Sequence, residues 1–136
     1  YNKIINFFTK KGNKVKATKI VNEAFDKVSK ETGLSFNSIL SKLFSKLNSF
    51  VEVKKIRVRR GFHLVPFPIS HKRSTYLIIK WLIQAIKEDK RKISFSDKLF
   101  SEINQTISSS SSKSLEIKTS NISQVLSNRS NIHFRW

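Results

Sequence analysis

Residues 51–69, VEVKKIRVRRGFHLVPFPI, constrain the fold more than any other stretch, because two β-prone runs meet there around a glycine. Val51, Val53, Ile56 and Val58 form the first run; Phe62, Leu64, Val65, Phe67 and Ile69 form the second. The expectation is a hairpin that reverses at Gly61, where positive φ costs a glycine little. Apolar parity slips once in each arm, between Val53 and Ile56 and again from Leu64 to Val65. A bulge near Lys54-Lys55, matched opposite near Leu64-Val65, accounts for both slips. Pro66 and Pro68 cannot donate to a ladder and mark the second arm as an edge. Two strands alone are not stable in water, so the ribbon must lie on helices or on a partner.

Charge on the ribbon indicates the kind of partner. Between residues 51 and 73 stand seven cations (Lys54, Lys55, Arg57, Arg59, Arg60, Lys72, Arg73) against one acid, Glu52. Arginines crowded at a reversal repel one another unless an anion lies alongside, and the guanidinium fork suits phosphate oxygens. A solvated edge strand kept soluble by charge is the plain alternative. The whole chain leans the same way: net charge is +18 over 136 residues and the sequence pI is about 10.5. Such a chain is drawn to polyanions, nucleic acid first and an anionic membrane surface second. No apolar run is long enough to span a bilayer, and no signal peptide is visible. Cysteine is absent, which excludes disulfides and thiolate-ligated metal. Lys, Ile, Asn, Ser and Phe dominate, as in genes of very low G+C content such as those of many organelles. The first residue is Tyr1 rather than Met, which is read as an N-terminal segment lying outside this chain.

Around the ribbon the pattern is helical. Residues 1–9 read as the last turns of a helix with Ile4, Ile5 and Phe8 inward, and Gly12 and Asn13 are placed to close it and cap the next. Ala17, Ile20, Val21, Ala24, Phe25 and Val28 make one apolar stripe ending at Gly33. Ser35 caps a third helix striped by Ile39, Leu40, Leu43, Phe44 and Leu47. Residues 70–74 read as a basic turn, with a fourth helix opening at about Arg73 and burying Leu77, Ile78, Trp81, Leu82, Ala85 and Ile86. Trp81 is read as a core anchor rather than a base-stacking platform, and the cations of residues 87–92 as ordinary helix C-terminal chemistry. Phe95, Leu99, Phe100, Ile103 and Ile107 mark a fifth helix, and a short sixth is expected around residues 121–129. The serine run within residues 108–114 reads as a flexible linker. The expectation is a mainly α, single-domain bundle of about six helices with one protruding basic β-hairpin, and no internal repeat.

Material for catalysis is thin. The nine acids are scattered, read mainly as helix-surface partners of lysine, as Glu23 is of Lys19 or Lys27 and Asp26 of Lys30. No metal-protease, P-loop or nucleophile-elbow motif occurs. His63, His71 and His133 sit in three unrelated contexts without a neighbouring carboxylate. The chain reads as a binding protein, with no cofactor, metal or small-molecule substrate.

The ribbon residues Val51-Glu52-Val53-Lys54, continuing through Gly61 to Val65-Pro66, resemble the hairpin pattern of the universal small-subunit ribosomal protein numbered seven, roughly VEVKxRRVGGxxYxVPxxV. Arg73, Leu77 and Lys80-Trp81-Leu82 match the next segment of that family, Gly12-Asn13-Lys14 its Gly-Lys-Lys turn, and His133-Phe134-Arg135-Trp136 its terminal HYRW. Departures are the paired Arg59-Arg60 where the family has Gly-Gly, which shifts the expected reversal toward Gly61, a missing basic N-terminal arm, and poor agreement over residues 107–120. The resemblance implies binding to the 3′ major (head) domain of small-subunit rRNA and organisation of head assembly. It also implies a hairpin tip (Arg59, Arg60, Gly61, Phe62) near exit-site tRNA and mRNA, and neighbouring head and platform ribosomal proteins as partners.

The residues expected to touch rRNA are Lys10, Lys11, Asn13, Lys14, Lys16, Lys54, Lys55, Arg57, Arg59, Arg60, His71, Lys72, Arg73, Arg129, Arg135 and Trp136. They act by neutralising phosphates, with Phe62, Phe134 or Trp136 stacking on unpaired bases. Composition favours a mitochondrial ribosome, with a plastid or an AT-rich bacterial cytoplasm as alternatives. Two other readings stand beside this one. One is an architectural DNA-binding nucleoid protein with β-arms, although no strong dimer seam is visible. The other is a protein of an anionic membrane surface, for which the second helix partly qualifies.

Overall fold

In the computed structural model, which describes residues 1–108 and 111–135, the helices follow their apolar stripes. The order is α1 (Asn2–Phe8), α2 (Lys14–Thr32), α3 (Phe36–Leu47), β1 (Val51–Val58), β2 (Gly61–Pro68), α4 (His71–Glu88), α5 (Phe95–Ser108), α6 (Lys113–Ser127) and a terminal 3-10 helix (Arg129–Phe134). The architecture is therefore mainly helical with one antiparallel hairpin, as the stripes predict. One core joins Val21, Phe25 and Val28 of α2 to Leu43 and Leu47 of α3, Ile79 and Leu82 of α4, and Leu99 and Ile103 of α5. Each such side chain contributes about 1.5–3 kcal/mol by leaving water. Trp81 is buried, as an anchor should be.

Several boundaries differ from the sequence reading, each for a physical reason. Gly33 does end α2 in the left-handed region, and the Ser35 hydroxyl does accept from the Ser38 N–H at the start of α3. Asn13 holds the N-cap position of α2 but makes no side-chain cap bond, and α1 ends at Thr9 rather than at Gly12. Lys11 (φ 51°) and Gly12 (φ 76°) together turn the corner. Helix α4 opens at His71, two residues before the expected start, so His71, Lys72 and Arg73 form its first turn. The surface pairs expected within α2 are not among the ion pairs of the described residues; Lys27 instead bridges to Asp97 of α5.

The linker expected over residues 108–114 is bounded closely by helices, which take in residues 108, 113 and 114. Ser108 ends α5, and α6 begins at Lys113, about two turns before the expected sixth helix; Ser109 and Ser110 lie outside the described residues. The cause is a buried carboxylate. Glu102 accepts from the Ser114 N–H at 2.8 Å and from its hydroxyl at 2.6 Å, while the Thr106 hydroxyl donates to Ser112 Oγ at 3.0 Å. Ser112 in turn caps α6. The Glu102 carboxyl and the Ser112 hydroxyl thus serve two N–H groups, those of Ser114 and Leu115, that a helix start otherwise leaves unpaired. Two lysines close the other side of this corner: Lys46 donates to the Ile107 carbonyl and Lys118 to that of Lys46. Burial depresses the Lys118 ammonium.

The hairpin has no bulge. Its register runs unbroken from Val51↔Pro68 to Val58↔Gly61, leaving Arg59-Arg60 as a two-residue loop. Arg59, not Gly61, takes the positive φ, 53°. The prolines explain this choice. The Ile69 N–H donates to the Phe50 carbonyl, so the bonded pairs alternate from there and Pro66 and Pro68 fall at non-bonded positions. A loop at Arg60-Gly61 would shift the register and demand an N–H from both prolines, which have none. The parity slips come from cover that changes sides. Adjacent residues of a strand face opposite ways, yet Val65 and Pro66 are both buried, so both faces are covered at the base. Toward the tip, the terminal 3-10 helix covers the face bearing His63, whose ring lies 4.8 Å from that of Phe134.

Candidate nucleic-acid interface

Cations on the hairpin are held out by the strand geometry. Lys55, Arg57, Phe62 and Leu64 share one face, with Phe62 62% and Leu64 41% exposed. Lys55 Nζ lies 4.6 Å from the Phe62 ring centroid, and on the other face Lys54 Nζ lies 5.2 Å from that of Phe67. These contacts stiffen two flexible stems without neutralising them. Arg57, Arg59 and Arg60 are exposed, and none forms an ion pair among the described residues. The exposed face thus offers an apolar ring among unneutralised cations, the arrangement that stacks an unpaired base between phosphates.

Arg59 also exposes a conflict between fold and charge. A left-handed L-residue costs roughly 1–2 kcal/mol, part of which glycine would lose again to its unfolded freedom. Arg59→Gly is therefore expected to raise stability by up to about 1 kcal/mol in denaturant unfolding while weakening RNA binding. Arginine at this position serves the surface, not the turn.

The other predicted residues divide into engaged and open. Arg73 is engaged: it grips Glu52 through two bonds, Nε to Oε2 at 2.9 Å and Nη2 to Oε1 at 2.6 Å, and lies over Tyr76. The Arg73 guanidinium holds the Glu52 carboxyl below its ordinary value of 4.5. A carboxyl depressed on folding adds stability above its unfolded value, and that contribution disappears as pH falls through the folded one. Stability of the wild type over Glu52→Gln, about 1 kcal/mol for a surface pair whose arginine stays 43% exposed, is thus expected at pH 7 and lost below the ordinary glutamate range. Denaturant midpoints at the two pH values check this. His71 and Lys72 stay exposed in the first turn of α4, which holds no acid. Lys14 and Lys16 have the same setting in α2. Cations at a helix start oppose the macrodipole, and an added anion relieves them.

Lys10 and Lys11 are exposed at the corner before α2, and Arg129 and Arg135 are exposed at the two ends of the terminal 3-10 helix beside the hairpin. Trp136 lies outside the described residues. Phe134 is not an open stacking platform, being half-buried between His63 and His133. Helix α4 spaces the patches. Arg73 near its start meets the hairpin and Lys87 near its end shares a cleft with Lys10 and Lys16, so the two are about 21 Å apart at 1.5 Å per residue. Lys87 escapes the sequence reading because only the tertiary fold brings it to that corner.

Among the described residues no three His, Asp or Glu side chains come together as a metal site, and no helix is long and apolar enough to cross a membrane. A family model described as "Ribosomal protein S7p/S5e" matches residues 1–128, from the first helix through the hairpin to the end of α6. Small ribosomal subunit protein uS7 of Pelagibacter ubique is 31% identical over 134 residues, covering 98% of this chain and 85% of that protein. The uS7m proteins of Drosophila melanogaster and Reclinomonas americana are each 29% identical, covering 98% of this chain and 67% and 83% of their own lengths. Helices that follow their stripes, a basic hairpin held on them and a family match over nearly the whole length lead to one conclusion: the chain belongs to the ribosomal protein S7p/S5e family, structural and non-enzymatic constituents of the small ribosomal subunit.

Proposed function

We propose that this chain binds the 3′ major domain of small-subunit rRNA, organises assembly of the head, and sets its hairpin tip near exit-site tRNA and mRNA. One observation supports the reading above others: Arg57, Arg59 and Arg60 stand exposed without a carboxylate partner among the described residues, one of them in a backbone conformation that an L-residue resists. Phosphates relieve both the mutual repulsion and the cost. The α1–α2 corner and the start of α4 supply two further cationic patches, held about 21 Å apart by a rigid helix. A protein with separated rigid patches can fix RNA helices relative to one another by shape, which is how paired RNA is recognised.

Head and platform ribosomal proteins are the proposed protein neighbours, and the proposed compartment is the mitochondrion. Low-G+C composition favours an organelle, and relatives of both mitochondrial and bacterial origin accommodate the sequence. The DNA-binding reading finds no support in the fold or the relatives. Crosslinking the protein in its cells and identifying the attached polymer tests the proposal. Small-subunit rRNA crosslinked to a hairpin peptide is the expected result; attachment to DNA or lipid alone would overturn it.

A further inference from the structure

We propose that the cleft between the α1–α2 corner and the far end of α4 receives one unpaired ribonucleotide, base inward and phosphates on the surrounding lysines. The inference rests on the RNA-binding reading and adds a specific pocket to it. The cleft holds about 540 Å³, within the roughly 300–1,000 Å³ typical of small-molecule sites. Its walls are Phe7 and Phe8 from α1, Ile20 from α2, Ile83 from α4 and Phe95 from α5. Lys10, Lys11, Lys16 and Lys87 surround them, and among the described residues no carboxylate lines the cleft.

The walls are built for a flat ring. Phe8 and Phe95 meet edge to face at 5.6 Å, and Lys10 Nζ lies 5.9 Å from the Phe95 centroid. An aromatic pair under a lysine carries both halves of nucleotide recognition, a stacking surface and a phosphate counter-charge. The start of α2 opens on the same cleft. Asn13 lines it without making a side-chain cap bond, and no acid stands in the first turn. The positive end of the helix dipole thus adds to the charge of the lysines. A ribonucleotide joins a planar π system to phosphate in one unit, which matches this combination of walls and charge. None of this is visible in the local sequence, which shows only the lysines of the turn.

The test uses the full chain and two single-stranded oligomers of equal length, one an oligoribonucleotide and one an abasic ribose-phosphate chain. At high salt, where the phosphate term is weak, the base-bearing oligomer is expected to bind about tenfold or more tightly, the effect of one stacked base. Phe62→Ser removes the hairpin's own stacking ring, so the part of the difference that survives it belongs to the cleft, and Ile20→Trp added to that variant, filling the cleft from a partly exposed wall position, should abolish that part. Crosslinking through thiouridine, mapped by proteolysis on the wild type, should mark a peptide within residues 7–16. This readout stands even if the tryptophan variant fails to fold. Equal binding of both oligomers, or crosslinks confined to the hairpin, overturns the pocket while salt-sensitive binding keeps the RNA reading intact. Absence of binding to either oligomer at low salt overturns both.

Discussion

Replacing Arg57, Arg59 and Arg60 together by alanine is expected to flatten the salt dependence of rRNA binding by about three in the slope of log K against log salt, one for each phosphate that the protein no longer neutralises. With roughly six phosphates neutralised, the wild type should lose on the order of a thousandfold in affinity from low to moderate salt, by analogy with duplex DNA. The fold should be indifferent. All three side chains are exposed and none holds an ion pair among the described residues, and surface changes of this kind usually stay within about 0.5 kcal/mol each. Filter binding across a salt series and thermal unfolding of the free protein check the two halves separately. A large drop in stability without a change in slope would mean that the tip is a structural element and that its charge has no partner.

Leu43→Ala should do the opposite, leaving the charge pattern untouched and costing about 2–5 kcal/mol of stability. Leu43 is fully buried in the core that joins α2, α3, α4 and α5, so its loss leaves a cavity at the point where four helices meet. Against a typical total of about 5–15 kcal/mol, this removes a large share of the stability. Denaturant unfolding measures the loss. RNA binding, measured on the folded fraction at low temperature, should keep its salt slope.

The helical body is legible in the sequence because its information is local. Val21, Phe25 and Val28, or Leu43 and Leu47, lie one turn apart, and a helix buries such a stripe whatever its neighbours are. The hairpin is legible in its strands but not in its reversal. Gly61 draws the expected turn to itself by the usual preference of glycine for positive φ, yet Pro66 and Pro68 decide the register from five to seven residues away in sequence. The signal is present: two prolines spaced by two must both fall at non-bonded sites, which excludes a loop at Arg60-Gly61 and admits one at Arg59-Arg60. The early start of α6, at Lys113, is hidden for a different reason. Only Glu102, twelve residues before Ser114, turns a polar tract into a helix start, and nothing near the serines announces a buried acid. Among the site residues, charge and exposure can be read directly for Lys54 or Arg60. Arg73 cannot be recognised as engaged, because Glu52 is its partner only through the fold.

Amide side chains from the C-terminal part of the chain reach the outer rims of the hairpin. Asn121 donates to the Val51 carbonyl of β1 and Asn131 to the Leu64 carbonyl of β2. Any other extended polypeptide laid along either rim would find some of its acceptors already occupied, with lysine and arginine repelling a second copy of this chain. A molecule so arranged gives fibre-like growth a poor template while it is free. The two asparagines thereby leave each rim with fewer free acceptors for an added strand.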